Sequence, residues 1–99
     1  AYYVGVVPHN PLSAVLTAAC VQLDAATHNI PVQEYPIDDG TGVKADLVDE
    51  PITREGGYLL VPDRPGIGIE LNEPTFSRYP VLPYERPPLT NLDGSLREY

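Results

Sequence analysis

The sequence predicts an α/β fold built on one β-α-β unit, and three observations predict it. Residues 2–7 form an apolar run rich in β-branched and aromatic side chains, closing on Val7-Pro8-His9. A second apolar run over residues 30–35 closes on Gln33-Glu34-Tyr35. One helix-length segment separates them. Parallel strands joined by a helical crossover have this layout, and their carboxyl ends share one rim. In a (β/α)8 barrel that rim carries the active site, which makes His9 and Glu34 the candidate functional residues.

The first strand is apolar on both faces, as expected of a strand covered on both sides. Tyr3, Gly5, Val7 and His9 fall on one face, and Pro8 ends the ladder by removing a donor. Asn10-Pro11 is a helix start: Asn caps free amides and Pro suits the first helical position. The helix is expected over residues 11–27. Leu12, Val15, Ala19, Leu23 and Ala26 form its predicted buried stripe, widened by Leu16, Ala18 and Cys20. His28-Asn29 is the expected stop, with Asn tolerant of a left-handed backbone. The second strand places Ile30, Val32 and Glu34 on one face. Pro31 suits only its first position, because a central strand cannot spare an amide.

Residues 36–51 hold Asp38, Asp39, Asp46, Asp49 and Glu50 and read as a solvated surface loop. They lack the alternating oxygen spacing and closing glutamate of an EF-hand. Residues 52–71 read as a hairpin-like unit turning at Gly56-Gly57 and again at Pro62-Asp63-Arg64-Pro65-Gly66. Gly66-Ile67-Gly68 has no third glycine and no following helix, so it is read as a tight chain path rather than a phosphate loop. Residues 72–99 carry Pro74, Pro80, Pro83, Pro87 and Pro88 with Tyr79, Tyr84 and Tyr99. They are expected to run as an extended tail.

Bulk properties narrow the function. The formal charge is −8 and the six Lys and Arg residues are scattered, which excludes nucleic acid and anionic membrane surfaces as expected partners. No apolar stretch reaches membrane-spanning length and no signal peptide is visible. The single cysteine, Cys20, excludes an internal disulfide framework and reads as a small buried hydrophobe. Cytosol is the default compartment. The chain contains no methionine and begins inside a strand pattern, which reads as a piece of a longer polypeptide.

Three stretches together resemble a known family. They are Val7-Pro8-His9-Asn10-Pro11-Leu12-Ser13-Ala14, Thr17-Ala18-Ala19, and Asn29-Ile30-Pro31-Val32-Gln33-Glu34-Tyr35. Further on, Glu55-Gly56-Gly57-Tyr58, Val61-Pro62, Pro65-Gly66-Ile67-Gly68-Ile69-Glu70 and Leu92-Asp93-Gly94-Ser95 continue the likeness in order. The set is similar to the end of the barrel in the mandelate racemase branch of the enolase superfamily, with the closest likeness to acid-sugar dehydratases of the galactonate type. Ser13-Ala14 and Pro31 depart from the pattern.

The resemblance implies the C-terminal piece of a (β/α)8 barrel, with seventh strand, helix and eighth strand in residues 1–50. Residues 51–73 would join the α+β capping domain, and 74–99 would form the tail. It implies a Mg2+-dependent reaction on a small-molecule sugar acid, with the metal ligands and a partner aspartate for His9 on earlier strands. His9 would take the proton next to the substrate carboxylate, a task suited to a base titrating near neutrality. Glu34 would contact substrate and donate a hydrogen bond to the enediolate, which requires a protonated carboxyl with a raised pKa. A racemase or epimerase of the same superfamily would share His9. A non-catalytic interaction module would instead fold alone on 99 residues. The alanine-rich helix points to a subunit contact and hence a homo-oligomer.

Overall fold

The computed structural model describes residues 3–84 and 89–96. The start of the first predicted strand at Tyr2, the Pro87-Pro88 pair and Tyr99 lie outside the described residues.

The helix of the β-α-β unit is α1, Ala14–Ala26. It begins three residues later than the Asn-Pro signal predicts. Ser13 is the cap: its backbone is extended and its hydroxyl accepts from the Leu16 N–H at 3.3 Å. The helix stops at Thr27, whose N–H returns to the Asp24 carbonyl at 3.2 Å. Asn29 does not take the left-handed conformation expected of it. Its side chain donates to the Val4 carbonyl at 2.9 Å, and its own carbonyl accepts from Val6.

The predicted buried stripe of α1 is on the wrong side. Ala14, Thr17, Ala18 and Val21 are buried, at i, i+3, i+4 and i+7, whereas Leu12, Val15, Ala19, Leu23 and Ala26 are exposed. The helix is apolar around most of its circumference, so its period alone does not choose a face. Cys20 is buried, as expected.

The two extended segments lie side by side in parallel, yet they do not form a continuous ladder. Val6 N–H donates to the Asn29 carbonyl at 3.0 Å. In a parallel pair the next two bonds would need N–H groups at positions 31 and 8. Both are proline, so neither bond exists. Side chains bridge the gap instead: Gln33 Nε2 donates to the Pro8 carbonyl at 3.2 Å and Asn10 Nδ2 to the Glu34 carbonyl at 3.1 Å. The two predicted strands are therefore extended segments stitched by side chains.

The acidic stretch forms a short helix, α2, Gly42–Asp46. The hairpin follows as β1, Arg54–Glu55, and β2, Tyr58–Leu59, paired antiparallel around Gly56-Gly57. Both glycines have positive φ, 55° and 88°, the requirement of a two-residue hairpin turn. Gly68 is buried with φ 84° and packs directly on the Pro62 ring, which bears out the tight-path reading of this segment. The tail is not wholly extended. A 3₁₀ helix spans Glu73–Arg78, and Thr90 pairs with Leu96 across a small loop.

The apolar core is small: Ala18, Val21 and Ile52, with Leu59 and Ile69 packed against it. It joins α1 to the hairpin segment. The Cα radius of gyration is 17.3 Å, against about 13 Å for a compact chain of this length. Among the described residues no helix is long and apolar enough to cross a membrane.

Candidate active site

His9 and Glu34 end the two extended segments and meet there. His9 Nδ1 lies 2.8 Å from Glu34 Oε2. The same oxygen accepts the Asn10 backbone N–H, also at 2.8 Å. The pair faces outward, with the His9 side chain 78% exposed and that of Glu34 45% exposed. With Nδ1–H donating to the carboxylate, Nε2 is left as the acceptor nitrogen. That is the arrangement of a general base whose far nitrogen is oriented by a carboxylate. The carboxylate partner expected for His9 on an earlier strand lies outside this chain; here Nδ1 meets Glu34.

Beneath the pair is a buried polar chain. Asn10 is fully buried. Its Nδ2 donates to Thr17 Oγ1 at 2.8 Å as well as to the Glu34 carbonyl. Thr17, also fully buried, donates its hydroxyl to Asp39 Oδ2 at 2.5 Å. Asp39 is only 6% exposed, and its backbone carbonyl accepts the Tyr35 hydroxyl at 2.9 Å. Asp39 therefore does not belong to a plain solvated loop. Its neighbours Asp38, paired with Lys44 at 2.8 Å, and Glu50, paired with Arg64, keep that character.

Asn10, Thr17 and Asp39 are the residues that sequence reasoning missed. Asn10 matched a helix cap and Asp39 sat in an acidic run, so local rules assigned both elsewhere. The usable signal was that Ser13 offers a second cap three residues on, which leaves Asn10 free for another task.

Electrostatics separate the expected role of Glu34 from its state in this chain. The Asn10 N–H, then the His9 contact, hold the Glu34 carboxyl below its ordinary value of 4.5. A donor to an enediolate would need the opposite shift. Burial pushes the Cys20 thiol up, with Asp24 and Glu34 adding to it, so the thiol stays protonated and unreactive.

Two open spaces flank this architecture without containing the pair. A cavity of about 790 Å³ is bordered by Val4, Gly5, Val6, Asn29, Ile30 and Pro31 at the amino ends of the extended segments. A second, of about 610 Å³, separates α1 and residues 30–33 from the hairpin. Neither includes His9 or Glu34. Both border the segments whose apolar side chains lack neighbours.

Among the described residues no three His, Cys, Asp or Glu side chains converge to hold a metal. Four carboxylates are committed apart, Asp38 to Lys44, Asp39 to Thr17, Asp46 to the Tyr79 hydroxyl and Glu34 to His9. This donor set does not fit a magnesium ion.

Comparisons with known proteins identify the family. Residues 1–75 match the family described as enolase C-terminal domain-like. The D-galactonate dehydratase of Xanthomonas campestris pv. campestris strain B100 is 35% identical over the whole chain, and that of Variovorax paradoxus strain S110 is 33% identical. The chain spans 28% of the length of each. Among solved structures, a candidate mandelate racemase/muconate lactonizing enzyme from Burkholderia SAR-1 superposes with a TM-score of 0.76 at 31% identity. The match covers 96% of this chain and 25% of that one. An enolase from Agrobacterium radiobacter, a candidate galactarate dehydratase bound to sodium and L-malate, gives 0.74 at 33% identity, covering 96% and 27%. With three quarters of its residues matched, and with the fold shared at these identities, the chain belongs to the enolase C-terminal domain-like family.

Proposed function

We propose that this chain contributes the proton-abstracting rim of an acid-sugar dehydratase, with His9 as base and Glu34 as its carboxylate partner. The observation that carries the proposal is the 2.8 Å His9–Glu34 pair at the carboxyl ends of two parallel segments. The dehydratase names of the relatives support the reaction class.

In this reading His9 Nε2 takes the proton from the carbon next to the substrate carboxylate. The C–H electron pair moves into the enediolate. Glu34, through Nδ1, balances the positive charge that arises on the ring. The β-hydroxyl then leaves as water, its proton coming from a general acid elsewhere in the protein. Direct donation from Glu34 to the enediolate needs a protonated carboxyl. That role excludes charge balance by the ionised carboxylate, and with Asn10 and His9 holding the Glu34 pKa down the carboxylate role is the one this reading assigns.

In this superfamily a magnesium ion supplies Lewis-acid stabilisation of the enediolate. Its ligands would come from residues outside this chain. The exposed face of α1, with Val15 and Leu23, would lie against a neighbouring element or subunit. Residues 51–73 would lead to a capping domain.

The test is to incubate the full-length protein that carries this chain with a panel of aldonic and aldaric acids and Mg2+, following products by proton NMR. A new C3 methylene, the mark of a 2-keto-3-deoxy acid, supports dehydration. Epimerised acid without a methylene replaces it by racemisation. Unchanged substrates across the panel refute both.

A further inference from the structure

From the buried side of the rim we infer that Asn10 is a positioning residue, locked by Thr17 and Asp39, which sets where the Glu34 carboxylate stands beside His9. The inference rests on the dehydratase reading for its kinetic consequence, though not for its structural one.

Asn10 holds Glu34 at two points. Its backbone N–H binds the carboxylate oxygen that His9 also binds, and its side-chain amide binds the Glu34 carbonyl. One residue thus fixes both the main chain and the side chain of Glu34. The prolines at 8 and 31 make this necessary, because the ladder bonds that would otherwise register the two segments are missing.

The orientation of the Asn10 amide is decided from below. Asp39 Oδ2 accepts the one hydrogen of the Thr17 hydroxyl. Thr17 Oγ1 is then left with lone pairs alone toward Asn10, and Nδ2 must face it. The second Nδ2 hydrogen falls to the Glu34 carbonyl. The order Asp39, Thr17, Asn10, Glu34 is therefore polar in one direction. Reversing the amide would set two acceptors against each other at both contacts.

The chain touches no substrate; it reaches the His9 ring through Glu34 and through the peptide bond that joins Asn10 to His9. Its loss is predicted to lower turnover rather than substrate affinity. Supporting partners of this kind are worth about 10–100-fold in activity.

The experiment uses the full-length protein with Asn10→Ala, Thr17→Val and Thr17→Ser, measuring kcat and KM on the sugar acid together with the ¹⁵N shifts of the His9 ring. Asn10→Ala and Thr17→Val are expected to lower kcat at least about tenfold with KM changed less than about threefold. Both are expected to move the His9 shifts away from the Nδ1–H form. Thr17→Ser, which keeps the hydroxyl, is expected to stay near wild type in both readouts. Wild-type kcat and His9 shifts in a folded Asn10→Ala protein overturn the inference, as does Thr17→Ser behaving like Thr17→Val. If Asn10→Ala does not fold, the Thr17 pair decides by the same criteria. If the wild-type protein acts on no sugar acid, the dehydratase reading fails by itself. The ring shifts then decide the positioning inference alone.

Discussion

Replacing Thr17 by Val tests the buried chain through stability. The two side chains have nearly the same shape and similar helix propensity, so the change is one hydroxyl for one methyl in the first turn of α1. Thr17 is fully buried and bonds both ways, accepting from Asn10 and donating to Asp39. Asp39 Oδ1 already lacks a partner, so the Thr17 hydroxyl is the only hydrogen-bond donor to this buried carboxyl among the described residues. Losing a hydrogen bond to a charged group costs about 1.5–3 kcal/mol. The orphaned Asn10 amide hydrogen adds about 1–3 kcal/mol. Because local relaxation serves both groups, the expected total is about 3–4 kcal/mol. Thr17→Ser should lose only about 1 kcal/mol, the value of one buried methyl. Urea unfolding of the full-length protein, followed by far-ultraviolet dichroism, reads both. A Thr17→Val protein within about 1 kcal/mol of wild type would refute the reasoning, as would Ser and Val variants of equal stability.

Gly68→Ala places a Cβ 2.2 Å from Pro62 Cγ at φ 84°. Backbone strain and overpacking together predict a loss of about 3 kcal/mol. Gly57→Ala, also at positive φ but meeting open space, should lose only about 1–2 kcal/mol. Equal midpoints in urea for the two variants would contradict the packing at Gly68. Pro31→Ile supplies the N–H that the Val6 carbonyl lacks, and native hydrogen exchange should show a newly protected amide at position 31. Fast exchange there would refute the proline-broken ladder. The pKa of Glu34 is lowered in the folded protein, so its contribution to stability is fully present above 4.5 and is lost as pH falls through the folded value. Wild type should therefore lose more stability than Glu34→Gln on acidification below pH 4.5. Parallel curves throughout would show that the carboxylate is not held by Asn10 and His9.

The rim pair was legible in the sequence because each residue ends an apolar run, and strand ends are where a polar side chain can stand on a parallel sheet. The helix was legible for the same reason of pattern. Its buried face was not, because apolar residues occupy both sides and the choice is made by Asn10 and Asp39, which tie Thr17 inward. Those ties join positions seven and 22 residues apart, beyond any local rule. The strands were legible as extended chain but not as unpaired chain, although Pro8 and Pro31 already removed the two donors a ladder would use. Asp39 was illegible because a carboxylate in an acidic run looks the same whether it faces water or a threonine. What singles it out is burial, which only the fold supplies.

The most direct test of His9 as the base is exchange of the substrate α-proton in deuterated water by the full-length protein, comparing wild type with His9→Asn. Proton abstraction by His9 predicts deuterium at that carbon, or in the product derived from it, with the rate reduced about 10²–10⁴-fold in the variant. Undiminished exchange in a folded His9→Asn protein would contradict it.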